Sequence, residues 1–308
     1  MKKFLAIFSI LLLAGGVFAA PLKVVTTTPD LADLARQVGG DRVKVDCLSR
    51  GSQDPHFVEA KPSLIVKVRD ADLFIQTGLD LEIGWAPLLI QGARNPRVQR
   101  GAKGFLDAST LVHPQDVPTI VSRAAGDVHP GGNPHFLADP HNALAVLKGL
   151  EGKLTELDPA GAAVYKKNAG NYFARLSAKI TDWEKRMAPT KGTRYVSYHK
   201  NLVYFADHFG LVSDGEIEPK PGIPPTAKHT ADLIAVMKER RTPLILTNPH
   251  FERRTPDALS RATGATVVTV VLTPDAVPEA ADYISAVEFN VTGILRALFI
   301  QASITPKN

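Results

Sequence analysis

Cysteine is almost missing from this chain: of 308 residues only Cys47 carries a thiol. That excludes an internal disulfide and any zinc knuckle built from paired cysteines. Methionine and tryptophan are also sparse, at 3 and 2, and aromatics make up 7%. Charge of one sign is lacking too. The formal balance of +5 falls to about +3 if Lys2 and Lys3 are removed by processing, and the basic residues are scattered. Nothing here has the basic stripe of a nucleic-acid protein. The 23 glycines and 23 prolines follow no period, which excludes a collagen-like chain. What remains is 44% hydrophobic and 22% charged, the balance of a globular protein with a sizeable core. Metal chemistry, if present, must run on the nine histidines and on carboxylates.

The N-terminus reads as an address. Lys2 and Lys3 precede an apolar run from Phe4 to Leu13, followed by small residues around Ala19 and Ala20. The run is about half the roughly 20 residues of a spanning helix. Residues 1–20 are therefore expected to be a signal peptide, cut near Ala19 or Ala20, that exports the chain. No cysteine follows the run, so no lipid anchor is expected, and no later stretch is expected to span a membrane. Cys47 would then be buried as a small apolar residue.

From Leu22 strands alternate with helices. Strand signals fall at 23–28, 43–48 and 72–76, with helical stretches at 31–38, 62–69 and 81–90, the first capped by Asp30. Between about 139 and 188 the strand signal disappears. One helix opens at Asp139-Pro140 and stops near Asp158-Pro159, and a second runs 160–187 with Val164, Tyr172, Leu176, Ile180, Trp183 and Met187 at helical spacing. Such a helix spans about 40 Å, the width of a lobe; Gly170 is the one point where it could break. Alternation then resumes, with strands at 194–198, 211–216, 244–247 and 266–272. Helices fall at 202–209, 230–240, 256–263 and 278–299. The expected fold is α/β: two βα lobes with mostly parallel sheets joined by one long backbone helix. The boundaries are an N-terminal lobe at 21–158, a linking helix at 159–189 and a C-terminal lobe at 190–308. No internal sequence repeat is visible.

Open α/β lobes bind ligands beyond the carboxyl ends of their strands. His56 follows the second strand in Asp54-Pro55-His56-Phe57. His135 lies in Asn133-Pro134-His135-Phe136, before the first central helix. His199 directly follows the strand ending at Tyr198, and Asp275 follows the last strand. Three imidazoles and one carboxylate make a tetrahedral set suited to Zn²⁺. A lone loop histidine is more often a surface or packing residue, and none of these has the short spacing of His-Glu-x-x-His. Two Pro-His-Phe tripeptides strengthen the case.

The order of motifs is more specific than their composition. Asp54 to Ser63, Asp70 to Gly78, Leu79 to Trp85, Asn133 to Pro140, Tyr198-His199 and Leu246 to Phe251 follow one another along the mature chain. In this the sequence resembles the solute-binding proteins of zinc and manganese ABC importers, the cluster A-I family. The resemblance implies a non-enzymatic metal carrier that delivers Zn²⁺ to an ABC permease. It places His56, His135 and His199 at the family's three histidine positions. The fourth ligand falls on Asp275, with Glu279, His250 and water as alternatives, because Thr273-Pro274-Asp275 is offset by one residue from the family's Thr-Asp-Ser. Manganese-type members carry a carboxylate in place of the third histidine, so His199 favours zinc. A metallochaperone is a further partner to consider, and a monomer is the default.

The competing readings are a manganese or mixed-metal carrier, a siderophore- or haem-binding relative with the same helix-linked lobes, and a zinc hydrolase in which three histidines hold a water. His113 and His129, in the segment before the second ligand, could gather metal weakly. His141, His208 and His229 read as structural or surface residues, Trp85 and Trp183 as packing residues, and Asn201 as a cap for the helix behind it. Lys238 to Arg241 reads as a cationic helix end, and Pro219 to Pro225 as a stiff loop.

Overall fold

The computed structural model describes residues 20–119 and 129–304. Apart from Ala20, the segment read as a signal peptide lies outside the described residues, as does the stretch 120–128 between His113 and His129.

Two four-stranded sheets form, and every strand pair in both is parallel. The first contains β1 (Leu22–Thr26), β2 (Val43–Cys47), β3 (Leu73–Gln76) and β4 (Phe105–Asp107) in the order β2-β1-β3-β4. The second contains β5 (Arg194–Ser197), β6 (Val212–Glu216), β7 (Leu244–Thr247) and β8 (Thr266–Thr269) in the order β6-β5-β7-β8. The two orders are the same, so the halves repeat in topology although their sequences do not. Each sheet reverses its strand order beside its first strand, which opens a crevice at the carboxyl ends of β1 and β3 in one and of β5 and β7 in the other.

The helices are α1 (Pro29–Gly39), α2 (Pro62–Arg69), α3 (Ala86–Ala93), α4 (Pro140–Leu157), α5 (Ala162–Met187), α6 (Val203–Phe209), α7 (Ala227–Arg240), α8 (Arg254–Thr263) and α9 (Tyr283–Ile304). Proline at the first turn starts α1, α2, α3 and α4, where a missing N–H costs nothing. Helix α5 runs unbroken for 26 residues. Gly170 does not interrupt it, because it sits on the exposed face with open space around its Cα. Tyr165, Tyr172, Leu176, Ile180 and Trp183 line the buried face of α5.

That stripe belongs to one continuous apolar core. The core takes Val24, Leu31 and Leu73 from the first lobe, Leu147 and Leu150 from α4, and Leu244, Val291 and Ile294 from the second. Trp85 and Trp183 are both buried, as packing residues should be. Polar ties cross the same seam. The Tyr283 amide donates to Asp33 Oδ2 at 3.0 Å, and its hydroxyl donates to the Leu137 carbonyl at 2.7 Å.

Three local expectations differ. Thr28, not Asp30, is the N-cap residue of α1; Asp30 sits in the first turn, accepting from the Leu31 amide at 2.7 Å. Asn201 does not cap α6: its Nδ2 donates to Asn248 Oδ1 at 2.7 Å, tying the loops after β5 and β7 together. The segment Tyr283–Gln301 of α9, with a mean hydropathy of 1.3, is long and apolar enough to cross a membrane, contrary to the expectation that no later stretch would be. Its apolarity has a local use, since Val287, Val291 and Ile294 face the core. Asn290 on the same helix exchanges hydrogen bonds with the Val271 backbone, both at 2.7 Å.

Candidate metal centre

His56, His135 and His199 meet where the carboxyl ends of the two sheets face each other. One nitrogen from each lies within 4.8 Å of the others. The ring centroids are 5.3 Å apart for His56 and His135, 5.4 Å for His56 and His199, and 5.7 Å for His135 and His199.

Each ring is aimed by a different device. The His56 amide donates to Asp54 Oδ1 at 2.9 Å, and the ring Nδ1 lies 2.7 Å from the same oxygen. The Trp85 indole N–H holds the loop from behind by donating to the Pro55 carbonyl at 2.9 Å. His199 leaves the end of β5 with Nδ1 2.7 Å from Glu218 Oε2. In each ring the carboxylate takes Nδ1 and leaves Nε2 for another partner. Burial alone would raise the Asp54 carboxyl, but the bonds and charge of His56 outweigh it and hold the pKa at about 2. Asp54 is therefore a dependable anion beneath His56.

His135 is placed by Asn133. The His135 amide donates to Asn133 Oδ1 at 3.0 Å, Asn133 Nδ2 donates to the Lys200 carbonyl at 2.7 Å, and the Tyr204 hydroxyl donates to the Asn133 carbonyl at 2.8 Å. One asparagine thus joins the loop of His135 to the loop of His199. His135 Nε2 is buried with no hydrogen-bond partner among the described residues. A buried polar atom left this way costs about 1–3 kcal/mol unless something else satisfies it. Burial, followed by the charge of the neighbouring imidazoles, drives the His135 pKa well below 6.5, so the ring is a neutral base.

The fourth expected residue does not join them. Asp275 is exposed, has a φ of 60°, and lines a separate crevice with Arg36, Cys47 and Ser49. Gly51 packs directly under the Pro274–Ala276 backbone, and the Asp275 amide is tied to the Ala280 carbonyl at 2.7 Å. That turn carries the side chain away from the histidines. Glu279 is exposed as well. His250 lines the cleft alongside His135, Asp30 and Thr77, and burial lowers its pKa.

His129 is the neighbour that spacing alone undervalued. Its Nε2 lies 3.3 Å from His56 Nε2, and burial, then the nearby imidazoles, lowers its pKa to about 4. Its only sequence signal was a position six residues before His135 in a glycine- and proline-rich segment. His113 is exposed, and His229 accepts a structural role with Nε2 2.9 Å from the Glu216 carbonyl. His141 and His208 are not scattered surface residues: they meet Asp139 in a second cluster.

Two parallel α/β lobes fastened to one long helix, with a ligand cleft between their strand ends, define a helix-linked solute-binding protein. The chain belongs to the family of the periplasmic zinc-uptake complex component A, ZnuA, whose family model matches residues 24–297. It is 27% identical over 222 residues to the high-affinity zinc uptake system protein ZnuA of Paracoccus denitrificans, covering 61% of this chain and 64% of that one. It is 26% identical over 261 residues to the iron-binding protein YfeA of Yersinia pestis, covering 80% and 76%. With the manganese ABC transporter substrate-binding lipoprotein PsaA of Streptococcus pneumoniae it shares 25% over 288 residues, covering 90% and 89%. The crystal structure of ZnuA superposes with a TM-score of 0.75 at 22% identity, covering 90% of this chain and 98% of that one, which establishes the likeness of fold.

Proposed function

We propose that this protein captures Zn²⁺ in the periplasm through His56, His135 and His199 and delivers it to an ABC permease. In this reading residues 1–20 are removed on export. The lobes 21–158 and 190–308, joined by 159–189, form the two walls of the cleft. The observation that carries the reading is the buried, unpartnered Nε2 of His135 facing two imidazoles whose Nδ1 atoms are both held by carboxylates. A buried imidazole nitrogen left without a partner among the described residues is a ligand in want of an electrophile, and imidazole suits zinc where oxygen-rich sites suit manganese.

His129 is preferred to Asp275 for the fourth place in this reading, and reaching it requires a side-chain shift, since His129 stands outside the 4.8 Å group of the three histidines. Ligand atoms around tetrahedral zinc, at bond lengths near 2.05 Å, stand about 3.3 Å apart. The His129 and His56 nitrogens are already at 3.3 Å. Competitive titration of the metal-stripped chain with Zn²⁺ and Mn²⁺ tests the whole assignment. The expected result is one tight zinc that Mn²⁺ displaces poorly. His135→Ala should lose it, His129→Ala should weaken it by roughly 10-fold or more, and Asp275→Ala should leave it unchanged. Tight Mn²⁺ with weak Zn²⁺ would favour the manganese-carrier alternative; loss of binding in Asp275→Ala would return the fourth place to that residue.

A further inference from the structure

A second group of ligating side chains lies apart from the cleft, at the junction of three helices. Asp139 caps the start of α4, His141 stands in its first turn, and His208 projects from α6 in the other half of the chain. Asp139 Oδ1 and His208 Nδ1 are 3.0 Å apart, His141 Nδ1 and His208 Nδ1 are 3.2 Å apart, and Asp139 Oδ1 and His141 Nδ1 are 3.6 Å apart. We propose that Asp139, His141 and His208 form a second Zn²⁺ site, accessible from solvent, that clamps α4 to α6.

The spacing carries the inference. Three corners of a zinc tetrahedron should be separated by about 3.3 Å, and the three distances scatter closely around that value. Hydrogen bonding alone accounts for the triangle less well. Two Nδ1 atoms facing each other and one carboxylate oxygen offer three lone pairs, and a single Nδ1–H can serve only one of the contacts with the others. A cation at the centre satisfies all three at once.

The surroundings fit the same geometry. With His208 Nδ1 engaged, its proton sits on Nε2, which is buried and has no hydrogen-bond partner among the described residues. Glu184 on α5 offers Oε1 3.6 Å from that nitrogen, one small side-chain adjustment from the carboxylate–histidine pairing that orients metal ligands. Asp139 keeps its Oδ1 bond from the His141 amide at 2.9 Å, so the carboxylate is already fixed. The His208 side chain is 5% exposed and the His141 side chain 54% exposed, which leaves the fourth corner open to water on the His141 side. Such a site draws its ligands from both halves of the chain, as the cleft does, but from helices rather than strand ends.

Equilibrium dialysis of the full mature chain against rising Zn²⁺ reads the stoichiometry. Wild type should bind two zinc ions. His141→Ala, a change at a half-exposed side chain, should bind one, with the weaker event reduced by on the order of 10-fold or more and the tighter one unchanged. His199→Ala should show the converse, losing the cleft ion and keeping this one. If His208→Gln folds with the wild-type circular dichroism spectrum, it should match His141→Ala. A single zinc in wild type that survives His141→Ala overturns the proposal, and so does a second zinc that survives both His141→Ala and His208→Gln. A zinc lost in His141→Ala but not in His199→Ala would support this site while refuting the assignment of the cleft.

Discussion

At the scale of single residues, the cleft is built from groups whose charge is set by burial rather than by type. Asp30 shows this outside the ligand set. It is buried on the cleft wall, and burial raises its pKa from 3.8 to about 6, although bonds from the Thr28 hydroxyl and the Leu31 amide pull the other way. A carboxyl whose folded pKa is raised holds its proton more tightly in the folded state. Its stabilising contribution is complete below pH 3.8 and is lost as pH rises through about 6. At neutral pH the penalty is on the order of 3 kcal/mol. Asp30→Asn keeps the acceptor and removes the ionisation. In urea unfolding of the metal-free protein, this variant should gain stability over wild type between pH 4 and pH 7. A difference that stays flat with pH would mean that Asp30 is ionised at no extra cost in the fold.

Residue types alone went far toward the site. Each of His56, His135 and His199 could be found because it stands just after a strand or just before a helix, where an α/β lobe gathers ligands. Asp275 satisfies the same rule yet stands outside the histidine group, where Thr273-Pro274-Asp275 turns with a positive φ at the aspartate and Gly51 packs beneath it. The pairings of His129, His141 and His208 were illegible for a different reason. Their partners lie in distant segments: His129 and His56 are 73 positions apart, and His141 and His208 are 67 apart. No local spacing reports such a pairing.

At the scale of elements, the alternation of strands and helices was legible because parallel strands and amphipathic helices differ in period. The exception was β4: three residues, Phe105–Asp107, are too few to show a period. Its place at the sheet edge is fixed instead by pairing with Phe74–Gln76. Helix ends were less legible than helix existence, as α9 shows by starting at Tyr283 rather than at 278.

The long helix itself was plain in sequence, but its fastening was not. Glu288 on α9 accepts from the Trp183 indole at 2.9 Å and from Arg186 Nη1 at 2.6 Å, with Lys179 Nζ 3.3 Å away, all three on α5. Burial would raise the Glu288 pKa, yet the Trp183, Arg186 and Thr292 bonds outweigh it and hold the value at about 2. A depressed carboxylate stabilises fully above its unfolded pKa near 4.5 and loses that contribution as pH falls toward 2. Glu288→Gln should therefore cost about 1–2 kcal/mol at pH 7, with the gap from wild type closing as pH drops below 4.5. A chemical-denaturation series across that range checks both the size and the direction.

At the scale of the whole molecule, the decisive feature is that the two lobes share their largest core, although each also holds a smaller apolar cluster of its own. Side chains from α1, α4, α5, α9 and both sheets belong to one apolar cluster, and Tyr283 ties α9 to Asp33 and to Leu137 across the seam. A hinge that swung the lobes apart would have to break that core. In the proposed function, metal entry and release then fall to the loops that carry the clustered histidines: Asp54–His56, held through Pro55 by Trp85, and Asn133–His135, held by Lys200 and Tyr204. A shared core also predicts how the molecule unfolds. The metal-free chain should melt in a single cooperative transition, since neither lobe can lose the shared core while the other keeps it. Under the proposed assignment zinc binds only the folded form, so at 100 times its dissociation constant it adds about 2.7 kcal/mol. For a chain of this length that raises the melting temperature by about 5 °C. Calorimetry of wild type and His199→Ala, each with and without zinc, measures both effects. The variant should melt as one unit and lose most of the zinc-induced rise. Two resolved transitions in the metal-free protein would show that the lobes fold independently, and the cleft would then be free to open by rigid-body movement.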